Sequence, residues 1–103
     1  MRQFDVFRNP SKNSAKHAPL VLVLQSSLTI TETTVIVAPL VLPDRLPATS
    51  KLFPHLKVGA RHLVLSTNEL SAIGRHHLRH RSGNLERHRD DIIAALDMLF
   101  LGF

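Results

Sequence analysis

The sequence has no cysteine, no tryptophan and no tyrosine, and only four glycines among 103 residues. Without cysteine there is no disulfide framework, no thiolate zinc site and no catalytic thiol, and a reducing, cytoplasmic compartment is the simplest expectation. The glycines stand apart from one another, so no glycine-rich phosphate loop is present. Without Trp or Tyr the chain lacks the exposed aromatics of a single-strand stacking platform. Long hydrophobic runs are missing as well. Val35 to Leu42 falls far short of the roughly 20 residues that span a bilayer, and Pro39 interrupts it. The opening Gln3-Phe4-Asp5-Val6-Phe7 is not a basic segment leading into a long apolar run, so neither a secretory signal nor a membrane association is expected.

The apolar content is enough for one modest core. At 103 residues the chain is expected to form a single domain spanning 1–103, and 44% apolar with 20% charged residues excludes a wholly disordered polymer. The formal charge is +5, with seven further His. That balance favours acidic partners: nucleic acid, an acidic protein segment or an anionic surface. Direct DNA binding is the weakest reading. No pair of short helices suggests a helix-turn-helix, and the basic residues are not interleaved with aromatics.

Gln3 to Arg8 alternates, with Phe4 and Val6 on one face and Asp5 on the other, which predicts a first strand ended by Asn9-Pro10. Ser11 to Pro19 is a polar loop whose Lys12, Lys16 and His17 are solvated charges or contacts for an acidic partner. The Leu/Val run Leu20 to Gln25 predicts a strand covered on both faces. Ser26-Ser27 and the Thr-rich segment to Thr34 turn the chain into a third strand, Val35 to Ala38, expected antiparallel to the second. Four prolines from Pro39 to Pro54 predict a long ordered connection with edge character rather than a helix. Leu56 and Val58, the Gly59-Ala60 turn, then Leu63 and Leu65 predict a hairpin. Asn68 to Ile73 leads into Gly74 and a dense basic run, Arg75 to Arg81, that closes at Ser82-Gly83. Five or more short strands and one closing helix describe a mainly β (α+β) protein, a partly open antiparallel barrel.

The last stretch, Asn84 to Phe103, predicts an amphipathic helix. Ile92, Leu96, Leu99 and Phe103 recur at intervals of three and four, and Ile93 and Phe100 widen the stripe. Asn84 is the expected N-cap, Glu86 lies in the first turn, Arg87 and Asp91 fall four apart on one face, and Gly102 is the left-handed residue that ends the helix. Leu101 and Phe103 are costly to expose there unless the core or another chain covers them. Asp97 lies among apolar positions, where a solvent-facing structural role is favoured over an interface role.

His76 and His80 are spaced to share one helical face, as a metal pair requires. Arg75, Arg79 and Arg81 repel a cation, so a solvated basic loop is favoured. Ser66, Ser71 and the Asp residues fall in no nucleophile elbow or paired-carboxylate setting. No catalytic residue, metal or cofactor is predicted, and an enzyme is not expected.

Five segments in order carry a family likeness: Gln3-Phe4-Asp5-Val6-Phe7, Val23-Leu24-Gln25-Ser26, Val37-Ala38-Pro39-Leu40, Thr67-Asn68-Glu69-Leu70-Ser71-Ala72-Ile73, and the long run from Arg89-Asp90-Asp91 to Leu101-Gly102-Phe103. Together they resemble the opening strand, the second strand, the strand running into a Pro-Leu corner, the segment before the last strand, and the closing helix of the CcdB family. That family is the toxin half of plasmid and chromosomal toxin-antitoxin modules. The resemblance implies an SH3-like partly open antiparallel β barrel with one C-terminal α-helix, a cytoplasmic homodimer and no enzymatic activity.

The resemblance also implies a target. Family members bind the A subunit of DNA gyrase in its central cavity and trap the gyrase-DNA cleavage complex, a topoisomerase poisoning that serves plasmid maintenance. A CcdA-like antitoxin with a disordered tail wraps the toxin and releases it, and operator DNA is reached only through that antitoxin complex. Matched residue by residue, Leu101, Gly102 and Phe103 correspond to the terminal triplet used against gyrase. Asp97 and Phe100 match nearby helix positions, and Gln3, Phe4, Ser26 and Leu28 match strand positions on the same side. The best-studied pattern closes Trp-Gly-Ile, where this chain has Leu-Gly-Phe. The alternative implied is a non-toxic interaction or regulatory protein of the same fold that keeps antitoxin binding.

Overall fold

The computed structural model describes residues 1–46 and 50–103. Among them the strands are β1 (Asp5–Arg8), β2 (Leu20–Val23), β3 (Thr34–Val41), β4 (His55–Val58), β5 (Arg61–Leu65), β6 (Ser71–Gly74) and β7 (Arg81–Asn84), and helix α1 (Arg89–Leu101) follows. The strands form one antiparallel sheet in the order β4-β5-β3-β2-β1-β7, with β6 also paired to β3. The result is the SH3-like, partly open barrel with one helix.

β2 lies near the middle, and its sequence explains why. Leu20, Leu22 and Leu24 face one core, which they share with Phe4, Val6, Ala38, Leu40, Leu56, Leu63, Leu65, Leu85 and Ile92. Val21 and Val23 face the other side and join Phe7, Val35, Val37 and Leu78. A strand buried on both faces has no polar positions to spare, hence the unbroken Leu/Val run. Pairing with β3 is antiparallel, with Leu20 opposite Leu40 and Leu22 opposite Ala38. Burying each such Leu contributes roughly 1.5–3 kcal/mol.

β3 is longer than Val35 to Ala38 predicts, because Pro39 does not stop it. The Leu24 N–H donates to the Ile36 carbonyl, so even-numbered residues of β3 direct their backbone groups toward β2. Pro39 therefore directs its nitrogen, which has no proton, toward the opposite edge. There the partner changes from β6, which pairs Thr34–Val37, to β5, which pairs Leu40 and Val41. The missing donor falls in the gap between two partners, where a proline is tolerated. Of the remaining prolines, Pro43 opens a single 3-10 turn, Pro43–Arg45, and Pro47 lies outside the described residues. Gly59 takes φ +61 at the first position of the two-residue β4–β5 turn, as the predicted hairpin requires.

The two ends of the chain depart from the sequence expectation. β1 begins at Asp5 rather than Gln3, because Phe4 takes φ +70. That conformation costs an L-residue roughly 1–2 kcal/mol. Burial of the Phe4 ring (2% exposed) and backbone bonds from its N–H to Val23 O and from Leu85 N–H to its carbonyl offset it. β6 and β7 are strands that polarity alone does not announce. Ser82 is the extra residue of a bulge, since Val6 faces Gly83 while Phe7 faces Arg81.

Asp5 is buried rather than on a free outer face. Its carboxylate accepts Arg81 Nε at 2.9 Å, Asn84 Nδ2 at 3.0 Å and the Arg2 N–H at 2.8 Å. Burial pushes the carboxyl up, but hydrogen bonds from Asn84, the Arg2 amide and Arg81, with the guanidinium charge, outweigh it and hold the group below its ordinary value. One side chain thus fastens β1 to β7 and to the start of the chain.

Candidate functional site

The helix starts later than Asn84. Asn84 ends β7, and its Oδ1 accepts the Glu86 N–H at 2.8 Å, which opens a 3-10 turn, Glu86–His88, ahead of α1. Asn84 is therefore not the N-cap of the helix: His88 precedes α1 and Leu85 precedes the turn, and neither caps with its side chain. Arg87 does not pair with Asp91. It donates instead to the Lys57 carbonyl, and the Lys57 N–H donates to His88 Nε2 at 3.4 Å, so the turn covers the outer edge of β4. Asp90 and Asp91 occupy the first turn of α1, where their charge suits the helix dipole.

Ile92 and Ala95 are buried against the sheet, and Leu96 and Leu99 are half-buried, so the apolar stripe fades along the helix. It does not run on to Phe103. Gly102 takes φ +83, its N–H donates to the carbonyls of Asp97 (3.2 Å) and Met98 (3.1 Å), and the helix closes at Leu101. Phe100, Leu101 and Phe103 are left 67%, 62% and 74% exposed. Asp97, one turn earlier, is also exposed.

A second group gathers at the turn after β2. The Ser26 carbonyl accepts the Thr29 N–H at 2.9 Å, and its Oγ accepts the Leu28 N–H at 3.2 Å. Gln25 ties the turn down, donating to Thr29 O at 2.8 Å and accepting the Ile36 N–H at 3.0 Å. Gln3 joins from the chain start, with its N–H on Ser27 Oγ (2.8 Å) and its side-chain amide on Leu24 O (3.0 Å). This framework holds Leu28 at the tip, 96% exposed. Gln3, Ser26 and Leu28 are thus assembled by one set of hydrogen bonds. Phe4 departs from the expected surface set: its ring is buried in the core with Ile92.

Sequence reasoning missed Ile36. It shares a sheet face with Ala38 and Leu40, the face that α1 covers, yet is 41% exposed. The recoverable signal was the period of two, had β3 been read through Pro39.

The basic run is not simply a solvated loop. It opens as a 3-10 turn, Arg75–His77, and Leu78 at 8% exposure is inserted in the second core. Arg75 donates to Thr31 O at 3.2 Å, and Arg81 belongs to β7. Among the described residues no group of three or more His or acidic side chains is placed to hold a metal ion. Ser66 is a buried structural hydroxyl that donates to Glu69 Oε1 at 2.6 Å. Among the described residues no helix is long and apolar enough to cross a membrane.

An exposed apolar helix end on an open antiparallel barrel is the form the resemblance implied, and the sequence profile of the family described as CcdB protein matches residues 3–102. The chain belongs to the CcdB family. No curated protein matches it. As a CcdB-family protein it is a toxin component of a toxin-antitoxin module, in a family of toxins rather than catalysts. The matched span takes in Gln3, the turn at Ser26–Thr29 and α1 up to Gly102, and Phe103 lies just beyond it.

Proposed function

We propose that this CcdB-family protein binds the A subunit of DNA gyrase through the end of α1, traps the gyrase-DNA cleavage complex, and is neutralised by a CcdA-like antitoxin in the cytoplasm. The observation that carries the reading is the solvent-facing triplet Leu101-Gly102-Phe103, with Phe100 and Asp97 beside it, fixed in direction by the left-handed Gly102. Apolar groups this exposed, on a backbone held by a helix cap, suit an interface anchor better than a fraying end. Gln3, Ser26 and Leu28 supply a second rigid contact.

A homodimer belongs to the same proposal. Two copies of the helix end beside a two-fold axis would offer a symmetric patch to a symmetric target, and Ile36 adds apolar surface for the subunit contact. Operator DNA is engaged by the toxin-antitoxin complex. Induction of the chain in a gyrase-dependent bacterium is expected to arrest growth, and co-expression of the antitoxin to relieve the arrest. Growth that continues at full rate with the folded protein abundant would refute the toxic activity.

One observation favours a second reading. Leu101 stands where the family pattern has Trp, and Leu is a weaker interface anchor than Trp. A non-toxic protein of this fold that keeps antitoxin binding would show tight antitoxin capture and no gyrase binding.

A further inference from the structure

We propose that the cationic groove between the end of β1 and the Arg75–His80 turn binds the phosphate backbone of duplex DNA without reading its sequence. The groove is lined by Arg8, Lys12, Arg79 and the imidazoles of His76, His77 and His80, together with Asn9 and Pro10, and no carboxylate lines it. It lies at the end of β1 opposite Gln3, and no residue of α1 takes part. It is therefore separate from the proposed gyrase surface, and the inference does not rest on that reading.

The groove is built on fixed backbone. Asn9 Nδ2 donates to Ser14 Oγ (2.9 Å) and Ala18 O (2.7 Å), and its Oδ1 accepts the Ser11 N–H (2.9 Å), which anchors the loop carrying Lys12. Across from it Leu78 is sunk into the core, and the Leu78 N–H donates to Arg75 O at 3.1 Å. The rings of His76 and His77 lie 4.0 Å apart, centre to centre. They pack over Gly74, where a Cβ would come within 2.8 Å of His76 Cε1. His80 takes φ +59, which completes the tight path back to β7. Donors presented by ordered backbone lose less entropy when they bind an anion.

The groove's chemistry selects phosphate over an acidic peptide. Peptide recognition combines charge with apolar seats for side chains, and here the one large apolar residue of the turn faces inward. The exposed large apolar groups, Leu28, Ile36, Phe100, Leu101 and Phe103, all lie in other segments. Arg and Lys with no carboxylate neighbour match a phosphodiester chain, whose contacts position without specifying sequence. In a duplex the bases are stacked on one another, so the groove's charges meet the phosphodiester backbone.

The test is fluorescence anisotropy of a labelled mixed-sequence duplex titrated with the purified full chain over a range of salt concentrations. Three proteins are compared: wild type, the groove variant Arg8→Gln/Lys12→Gln/Arg79→Gln, and the control Arg45→Gln/Lys51→Gln/Arg61→Gln, which removes the same charge from exposed sites elsewhere. All six positions are exposed, and matching melting temperatures confirm that each variant folds. The groove variant is expected to weaken binding and to lower the slope of log K against log salt by about 2.7, three phosphate contacts at roughly 0.9 each, while the control keeps the wild-type slope. Equal weakening in both variants, no binding of the duplex by wild type at low salt, or tighter binding of a polyglutamate peptide than of the duplex would each overturn the proposal.

Discussion

Replacing Asp5 by Ala removes the one charged group that joins three parts of the sheet's open side. The carboxylate is 2% exposed and accepts three hydrogen bonds. Breaking a fully buried ion pair costs roughly 3–5 kcal/mol. Here the Arg81 side chain is 52% exposed, so its guanidinium returns to water and much of that cost is absent. What remains is the loss of three hydrogen bonds and a partly orphaned Asn84 amide and Arg2 N–H, together about 2–3 kcal/mol. Urea denaturation at neutral pH measures it, and a loss under about 0.5 kcal/mol would refute the account of Asp5 as the fastener of β1 and β7. The pH dependence adds a sign. The folded carboxyl titrates below its ordinary value of 3.8. The unfolded chain therefore takes up the proton first as pH falls. The stabilisation is complete above the unfolded value and disappears as pH falls through the folded one. Asp5→Asn should flatten this acid limb, which the wild type retains.

Phe4→Ala should cost about 3–5 kcal/mol, less any relief of the φ +70 strain, and chemical denaturation reads it. A near-neutral result would mean that the ring is not core. At Gly102 a Cβ meets no atom within 4 Å, so Gly102→Ala carries only the left-handed penalty of about 1 kcal/mol. A fall in gyrase binding larger than that penalty would report a helix end that has left the left-handed conformation and redirected Phe103, and titration of the gyrase A subunit with the variant reads it.

The central strands were legible because their chemistry is local. β2 reads as a two-sided strand from Leu and Val alone, and the β4–β5 hairpin is announced by Gly59. β6 and β7 carry Ser, Gly, Arg and Asn. They are strands because β3 and β1 offer free edges to pair with, a tertiary cause that no short window contains. Pro39 misled for a similar reason, since its tolerance depends on where the neighbouring strand changes. The helix was visible from its apolar spacing, yet its start moved from Asn84 to Arg89 because a 3-10 turn was needed to cover β4. At the candidate site Gly102 was readable as a stop. The joining of Gln3 to the Ser26–Leu28 turn was not, because hydrogen bonds between residues 24 positions apart leave no periodic trace.

The account's central claim is that the end of α1 is the surface that engages gyrase. Titration of the purified DNA gyrase A subunit with the full chain, and with a chain lacking Leu101 to Phe103, tests it most directly. The shortened protein should melt close to wild type, since the removed side chains are exposed. Its affinity should fall at least about 30-fold, the loss of a single interface hot spot of roughly 2 kcal/mol. Unchanged affinity in a shortened protein that is still folded would contradict the claim.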